Sequence, residues 1–454
     1  MVQGPMLVVV LILAIIFIVL ATSKFKLHPF LSLILAAYGL AFAAGVPTDK
    51  ISGIITGGFG GTLTSIGIVI LAGCIIGTIL EKSGAAIKMA EVIIKLVGEK
   101  RPTLAMSIIG YIVSIPVFCD SGFIILSSLN KTIAKKTKTS LVAMSVALST
   151  GLYATHTLVP PTPGPIAAAA NLKLDNLLLV IIIGMLVAIP GALVGNIFAN
   201  KYASKFAPTA TAESEKASSL SYEEEIKRYG TLPSAWKSFN PIIVPILLMA
   251  LGSVAKFPGN PFGTGFFQQL FVFVGTPVNA LIIGVFFAFM LAPKLNEETL
   301  TGWIGLSLKD AASILVVTAA GGALGAVIKE IKVGDYLGQS LQSLNLGIFV
   351  PFIIAAALKT AQGSSTVSLV TTSALMLPLL PAFGFTTDIA KVLVVAAIGA
   401  GAMTVSHAND SYFWVVSQFG GMDVKTAYKT QTVATLLQGL ATIATVFVLS
   451  LFLI

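Results

Sequence analysis

Charge is scarce in this chain. Only 10% of its residues are Asp, Glu, Lys or Arg, where a soluble domain carries about 25%. Cysteine is scarcer still. Cys74 and Cys119 lie in different apolar segments with no CxxC spacing, which excludes a disulfide framework and a cysteine zinc site. There are three histidines. No GxxxxGK[ST] loop is present, so ATP drive has no motif, and neither HExxH nor GxSxG offers a hydrolase. Regular apolar/polar alternation is absent too, which argues against a β-barrel.

What fills the chain is apolar: 56% hydrophobic residues and a mean hydropathy of +0.95. Long uncharged runs recur at 1–23, 51–80, 139–172, 257–293 and 430–454. About 20 apolar residues span a bilayer as a helix, so the chain reads as an all-α polytopic membrane protein. The first run has no basic segment before it and reads as the first span, not a cleaved signal. The net charge of +9 fits basic loops that fix topology, and no nucleic-acid partner is expected.

Spans one to three fall at about 6–22, 29–46 and 62–80. Residues 81–101 mix charge with apolar positions and suit an interfacial helix. The segment 102–138 is apolar with basic ends, broken at Cys119-Asp-Ser-Gly122. This predicts a re-entrant hairpin with Asp120–Gly122 at its tip; two full spans are the alternative. An interrupted helix follows over 139–170, broken at 156–165, and 176–199 closes the first half, 1–199. Residues 200–239 are hydrophilic and read as a cytoplasmic linker.

The second half, 240–454, repeats the plan. Spans are expected at 241–254, 275–292 and 311–328, then an interfacial stretch at 329–344. A second hairpin covers 347–385 with its tip at 362–366. The interrupted helix at about 389–418 is broken at 407–411, and the last span is 430–453. Gly73-x-x-x-Gly77 has a counterpart in Gly321-x-x-x-Gly325, and Thr155-His156 in Ser406-His407. Five spans per half is odd, so the repeats are expected to be inverted. With both termini outside, twenty-one of the 28 Lys and Arg fall inside, as the positive-inside rule requires. Inverted repeats with interrupted helices at the midplane are a design for secondary transport.

Ionisable groups at lipid depth mark function by default. Asp120 reads as a coupling carboxylate, as a ligand for substrate hydroxyls, or as an N-cap of the second hairpin arm. Gly122 and Gly363 permit close backbone approach at the tips, where helix N-termini favour a carboxylate. Ser121, Ser364, Ser365 and Thr366 add hydroxyls, and Gln362 an amide. His156 and His407, each beside a backbone break, read as substrate ligands or proton relays; His28 lies in a short loop. The proline run 159–165 cannot be regular helix and brings Thr157 and Thr162 into the candidate site. Asn409 and Asp410 are candidates in the second break, with helix capping as the alternative for Asp410. Lys359 is expected to snorkel to the interface; pairing with Asp120, Asp410 or an anionic substrate is the alternative.

At Ile115-Pro-Val-Phe-Cys-Asp-Ser-Gly122, Ala154-Thr-His-Thr-Leu-Val-Pro-Pro-Thr-Pro-Gly-Pro165, Ala357-Leu-Lys-Thr-Ala-Gln-Gly-Ser-Ser365 and Ser406-His-Ala-Asn-Asp-Ser411, the chain resembles the gluconate permease family of bacteria, within the ion transporter superfamily. The resemblance covers essentially the whole chain. It implies proton-coupled uptake of gluconate or a related small hydroxy acid across the bacterial inner membrane; relatives take D-serine or glycerate. It also implies a homodimer with an elevator movement. The coupling set is then Asp120, His156, His407 and Asp410, with no cofactor and no metal. A sodium-coupled carboxylate transporter is the first alternative, and a membrane-embedded enzyme a remote one.

Overall fold

The structure is a computed structural model describing residues 5–98, 100–209, 226–227, 229–255, 261–331, 347–408 and 410–454. The described residues form helices and turns, with no strand among them. Pro5–Ser23, Pro29–Ala43 and Thr48–Lys82 come first, then Ala85–Val97. Three units follow: the pair Pro102–Val113 and Cys119–Thr137, the pair Leu141–Leu158 and Pro163–Asn171, and the single helix Leu177–Lys201. The same order then recurs. Ala235–Ala255, the pair Phe266–Val274 and Pro277–Phe289, and Trp303–Glu330 precede the pairs Phe349–Gln362/Ser365–Met376 and Asp388–Ala402/Ser411–Phe419. A closing stretch starts at Val424, passes through a π turn at Tyr428–Thr432 and ends as Val433–Leu453.

Counterparts pack reciprocally. Thr48–Lys82 lies along Trp303–Glu330, and Leu177–Lys201 along Val433–Leu453. Cys119–Thr137 meets Ser411–Phe419, while Ser365–Met376 meets Pro163–Asn171. Each hairpin arm therefore rests on the half-helix of the other half.

Proline and glycine punctuate the chain where the helices stop. Pro29, Pro102 and Pro163 stand at helix starts, where the missing N–H costs nothing. Gly363, at φ 87°, ends Phe349–Gln362 in the left-handed conformation, which glycine adopts without strain. Ser364 then caps the next helix by accepting from Val367 N. The 12 and 14 residues of Pro102–Val113 and Phe349–Gln362 rise only about 18 and 21 Å, short of the ~30 Å hydrocarbon core. Neither arm can cross alone.

Several boundaries differ from those read in the sequence. The third span begins at Thr48, not 62, and bends by 46° between Thr64 and Gly67. The span expected at 275–292 is a 72° bent pair, Phe266–Val274 and Pro277–Phe289. Ala235–Ala255 starts inside the stretch expected to be linker, because Pro241 and Pro245 sit within it without ending it. Among the described residues, five helices are long and apolar enough to cross a membrane, or seven if each bent pair counts as one; ten spans were expected. The shortfall arises because segments such as Pro29–Ala43 are shorter than a full crossing. Ala85–Val97 is amphipathic, with Ile87, Met89, Ala90 and Ile93 buried. The second interfacial stretch, 329–344, and the middle of the linker lie mostly outside the described residues.

Candidate substrate site

Three helices begin around one cavity of about 290 Å³. Cys119 and Asp120 open the second arm of the first hairpin. Ser364–Thr366 open the second arm of the other. Asp410 and Ser411 open the half-helix after the second break. A helix N-terminus carries N–H groups without intrahelical partners and a positive partial charge. Three such ends around one space form a setting for an anion.

Asp120 and Asp410 line the cavity, and a buried cation stands behind its wall. Lys359 Nζ lies 2.6 Å from Asp410 Oδ2 and donates to Gly363 O at 2.6 Å. Lys359 is fully buried, so the expectation that it snorkels to the interface is overturned. The reason is geometric: the helix ends one turn later at Gly363, and the stem curls back over that end, where a cation is favoured. Asp410 also accepts from Ser406 Oγ, and its Oδ1 caps the following helix by accepting from Tyr412 N at 3.1 Å. Asp120 accepts from Ser411 Oγ at 3.4 Å. Among the described residues it makes no ion pair. The two carboxylates thus sit on either side of the 410–411 peptide, one neutralised and one not.

His156 lines the same cavity from the last turn of Leu141–Leu158. It is buried between Phe118 and Tyr153, with ring centroids at 6.0 and 6.3 Å, and its Nδ1 has no hydrogen-bond partner among the described residues. Buried polar atoms are rarely left unpaired; this one is closed off from the cavity, so the ring's share in the wall is what a guest meets. Contrary to the sequence reading, His156 and Thr157 are helical; the break runs from Val159 to Thr162.

His407 does not join the cavity. Its Nε2 lies 2.8 Å from Thr360 O, tying the second break to the first arm of its own hairpin. The equivalence with His156 therefore fails at the level of side chains. The second break opens already at Met403, after Asp388–Ala402, so His407 sits in irregular chain, at the start of a turn closed by Asp410 N, and not on a helical turn. Thr157 donates to Tyr153 O and Thr162 to Val159 O, both buried away from the cavity. Ser121 and Gly122 lie just behind the tip and do not line it; a Cβ on Gly122 would meet Leu152 at 2.8 Å. Gly363, Ser364, Ser365 and Thr366 do line it. The Gln362 side chain and Asn409 lie outside what is described.

The sequence reading missed Phe118, Tyr153, Ser411 and Tyr412, all in the wall. Tyr153 stands three residues before His156, one helical turn away, which was a legible signal. Tyr412 closes the cavity by packing on Tyr153 at 5.0 Å and donating to Ser149 O.

Two glycines seat the unwound segments. A Cβ on Gly73 would come within 2.7 Å of Pro161 O, and one on Gly77 within 2.6 Å of Pro116 O. One helix, Thr48–Lys82, therefore carries both the first break and the first hairpin turn. The other pair, Gly321 and Gly325, faces Val370 and Ala374 of Ser365–Met376.

Ser411 and Trp414 are exposed, and so is Ile124 on the packed helix Cys119–Thr137. The counterpart surfaces, Pro163–Ala169 and Ser368–Met376, are buried, and Asn171 donates across them to Val370 O and Ser373 Oγ.

Known proteins are similar to this chain over nearly its whole length. A gluconate permease of Pseudomonas aeruginosa is 30% identical over 98% of this chain and 97% of its own length. The D-serine transporter DsdX of Escherichia coli K12 is 32% identical over 97% of each. The solved YdaH transporter of Alcanivorax borkumensis has the same fold at a TM-score of 0.66, covering 94% of this chain and 98% of that one, with 15% identity. The relatives are permeases and transporters, not enzymes. The GntP family permease profile matches residues 6–452, and the chain belongs to that family: it is an integral membrane permease.

Proposed function

We propose that this permease is a secondary active transporter that carries gluconate, or a related small hydroxy acid, into a bacterial cell in symport with protons. The observation that carries the reading is the cavity itself. Three helix N-termini suit a carboxylate, and the Lys359 ammonium behind the wall offsets the charge of Asp410. Hydroxyls of Ser364, Ser365, Thr366 and Ser411 suit a polyhydroxylated body. Asp120 accepts from Ser411 and makes no ion pair among the described residues, and it is the residue we assign to the proton. A volume near 290 Å³ admits a molecule of six carbons.

The reciprocal packing of the two halves supports inverted repeats in the inner membrane, with both termini outside and residues 200–239 cytoplasmic. On that topology the exposed face at Ser411 and Trp414 is the cytoplasmic one, and the tie at Asn171 closes the outer one. Homodimer formation and elevator movement belong to the same proposal and rest on the family resemblance. No metal or cofactor is invoked.

One observation favours an amino-acid substrate as a second reading: an unpaired carboxylate at Asp120 would also receive an ammonium group, and one relative is named a D-serine transporter. Two measurements decide. Proteoliposomes with separately imposed proton and sodium gradients should accumulate labelled gluconate on the proton gradient alone; accumulation on sodium alone would sink the proposal. Thermal shifts of the purified protein with gluconate, L-idonate, glycerate and D-serine then rank the substrates, since binding stabilises by mass action.

A further inference from the structure

A carrier that couples to a metal cation must hold that cation among oxygen atoms near its substrate. The second hairpin tip offers such oxygens, and they are already engaged. The Gly363 carbonyl comes from the tip and the Asp410 carboxylate from the neighbouring break, each 2.6 Å from Lys359 Nζ. Carbonyl and carboxylate oxygens from separate unwound segments are the ligands that hard cations choose. The Tyr153 ring stands 5.9 Å away on a further side, as cations favour. Lys359 is 0% exposed, and its stem begins one turn before Gly363, so its ammonium is delivered by the same helix end it neutralises.

We infer that the Lys359 ammonium takes the place of a bound alkali ion at the second tip, a cation supplied by the chain itself. The inference deepens the proposed transport function and rests on it for the substrate only. The ammonium draws the tip and the break together without any ion from solution. Substrate binding is then independent of sodium. Asp120, 3.4 Å from Ser411 and with no ion pair among the described residues, stays free for the ion that does move. Removing the ammonium leaves a buried carboxylate facing a carbonyl across an emptied space, an arrangement that asks for a cation.

The test needs no substrate at first. Purified wild type and Lys359→Ala are melted in sodium chloride, methylammonium chloride and choline chloride at equal ionic strength. Wild type should melt alike in all three. Lys359→Ala should melt lower in choline and be raised by sodium or methylammonium in a saturable way. Exchange of labelled gluconate across proteoliposomes follows: the variant should lose about tenfold or more in choline and recover most of it with the small cation. Three results would overturn the inference: wild type stabilised by sodium over choline; a variant that exchanges normally in choline; or a folded, inactive variant that no small cation stabilises or restores. If Lys359→Ala does not fold, Lys359→Met combined with Asp410→Asn removes both charges. That pair should stay impaired in every salt, and normal exchange in choline would overturn the inference equally. Absence of gluconate exchange by wild type, with the melting pattern as expected, would count against the substrate and not against the cation.

Discussion

Lys359 and Asp410 form a fully buried ion pair, Nζ to Oδ2 at 2.6 Å, that joins the second hairpin to the second break. The two residues are separated by 51 positions and belong to different helical units, so the pair fixes how those units sit at the cavity. Breaking a buried pair from one side strands a charge and costs about 3–5 kcal/mol. Lys359→Met and Asp410→Asn should each lower the melting temperature in detergent clearly. The double variant should melt higher than the worse single, and a double variant whose loss is the full sum would argue against direct pairing.

Asp120→Asn keeps the size of the side chain and its bond with Ser411 but cannot take up and release a proton. Accumulation of gluconate on an imposed proton gradient should vanish, while exchange of labelled for unlabelled substrate persists. Accumulation at the wild-type level would move the coupling role to Asp410 or His156.

His156 stands in the cavity wall, and its Nδ1 is buried without a hydrogen-bond partner among the described residues. His156→Phe removes both ring nitrogens while keeping a ring between Phe118 and Tyr153. The melting temperature should change little, because no protein bond at Nδ1 is lost. Gluconate binding should weaken about tenfold to a hundredfold, the range for a hydrogen bond to a charged group. Isothermal titration measures it, and an unchanged affinity would make His156 a packing residue. His407→Phe should show the opposite pattern, losing stability through the tie to Thr360 O with a smaller effect on binding.

Gly73→Ala and Gly77→Ala each force a Cβ against a proline carbonyl, at 2.7 and 2.6 Å. Backbone cannot yield as a flexible side chain does, so each should cost about 1–3 kcal/mol and slow transport. Gly57→Ala and Gly60→Ala, with nothing within 4 Å of the added carbon, are the controls on the same helix. Melting curves and initial uptake rates separate the two classes.

Much of this was legible in the residues. Apolar runs and polar interruptions located the hairpins and breaks to within a few positions, because proline, glycine and capping serines act locally. Ser364 and Asp410 cap helices where local chemistry says they should. What could not be read was direction. Lys359 points inward because its helix stops at Gly363, and His407 points away because its break opens four residues before it, at Met403. Both facts depend on where a helix ends, which hydropathy resolves only coarsely. The histidine match between halves was a match of sequence position, and a helical turn on one side against irregular chain on the other sent the two rings to different places. Tyr153 and Tyr412 went unnoticed because an aromatic in an apolar segment looks like ordinary packing.

The glycine seats carry one more consequence. Gly73 and Gly77 are one turn apart on a single helix, about 6 Å along its axis, and each sets the height of a different proline carbonyl. Thr48–Lys82 is therefore a ruler. It fixes the spacing between the segment that leads to His156 and the segment that leads to Asp120, although it supplies neither. One residue inserted between the two glycines would leave every wall residue in the chain and still misalign the wall.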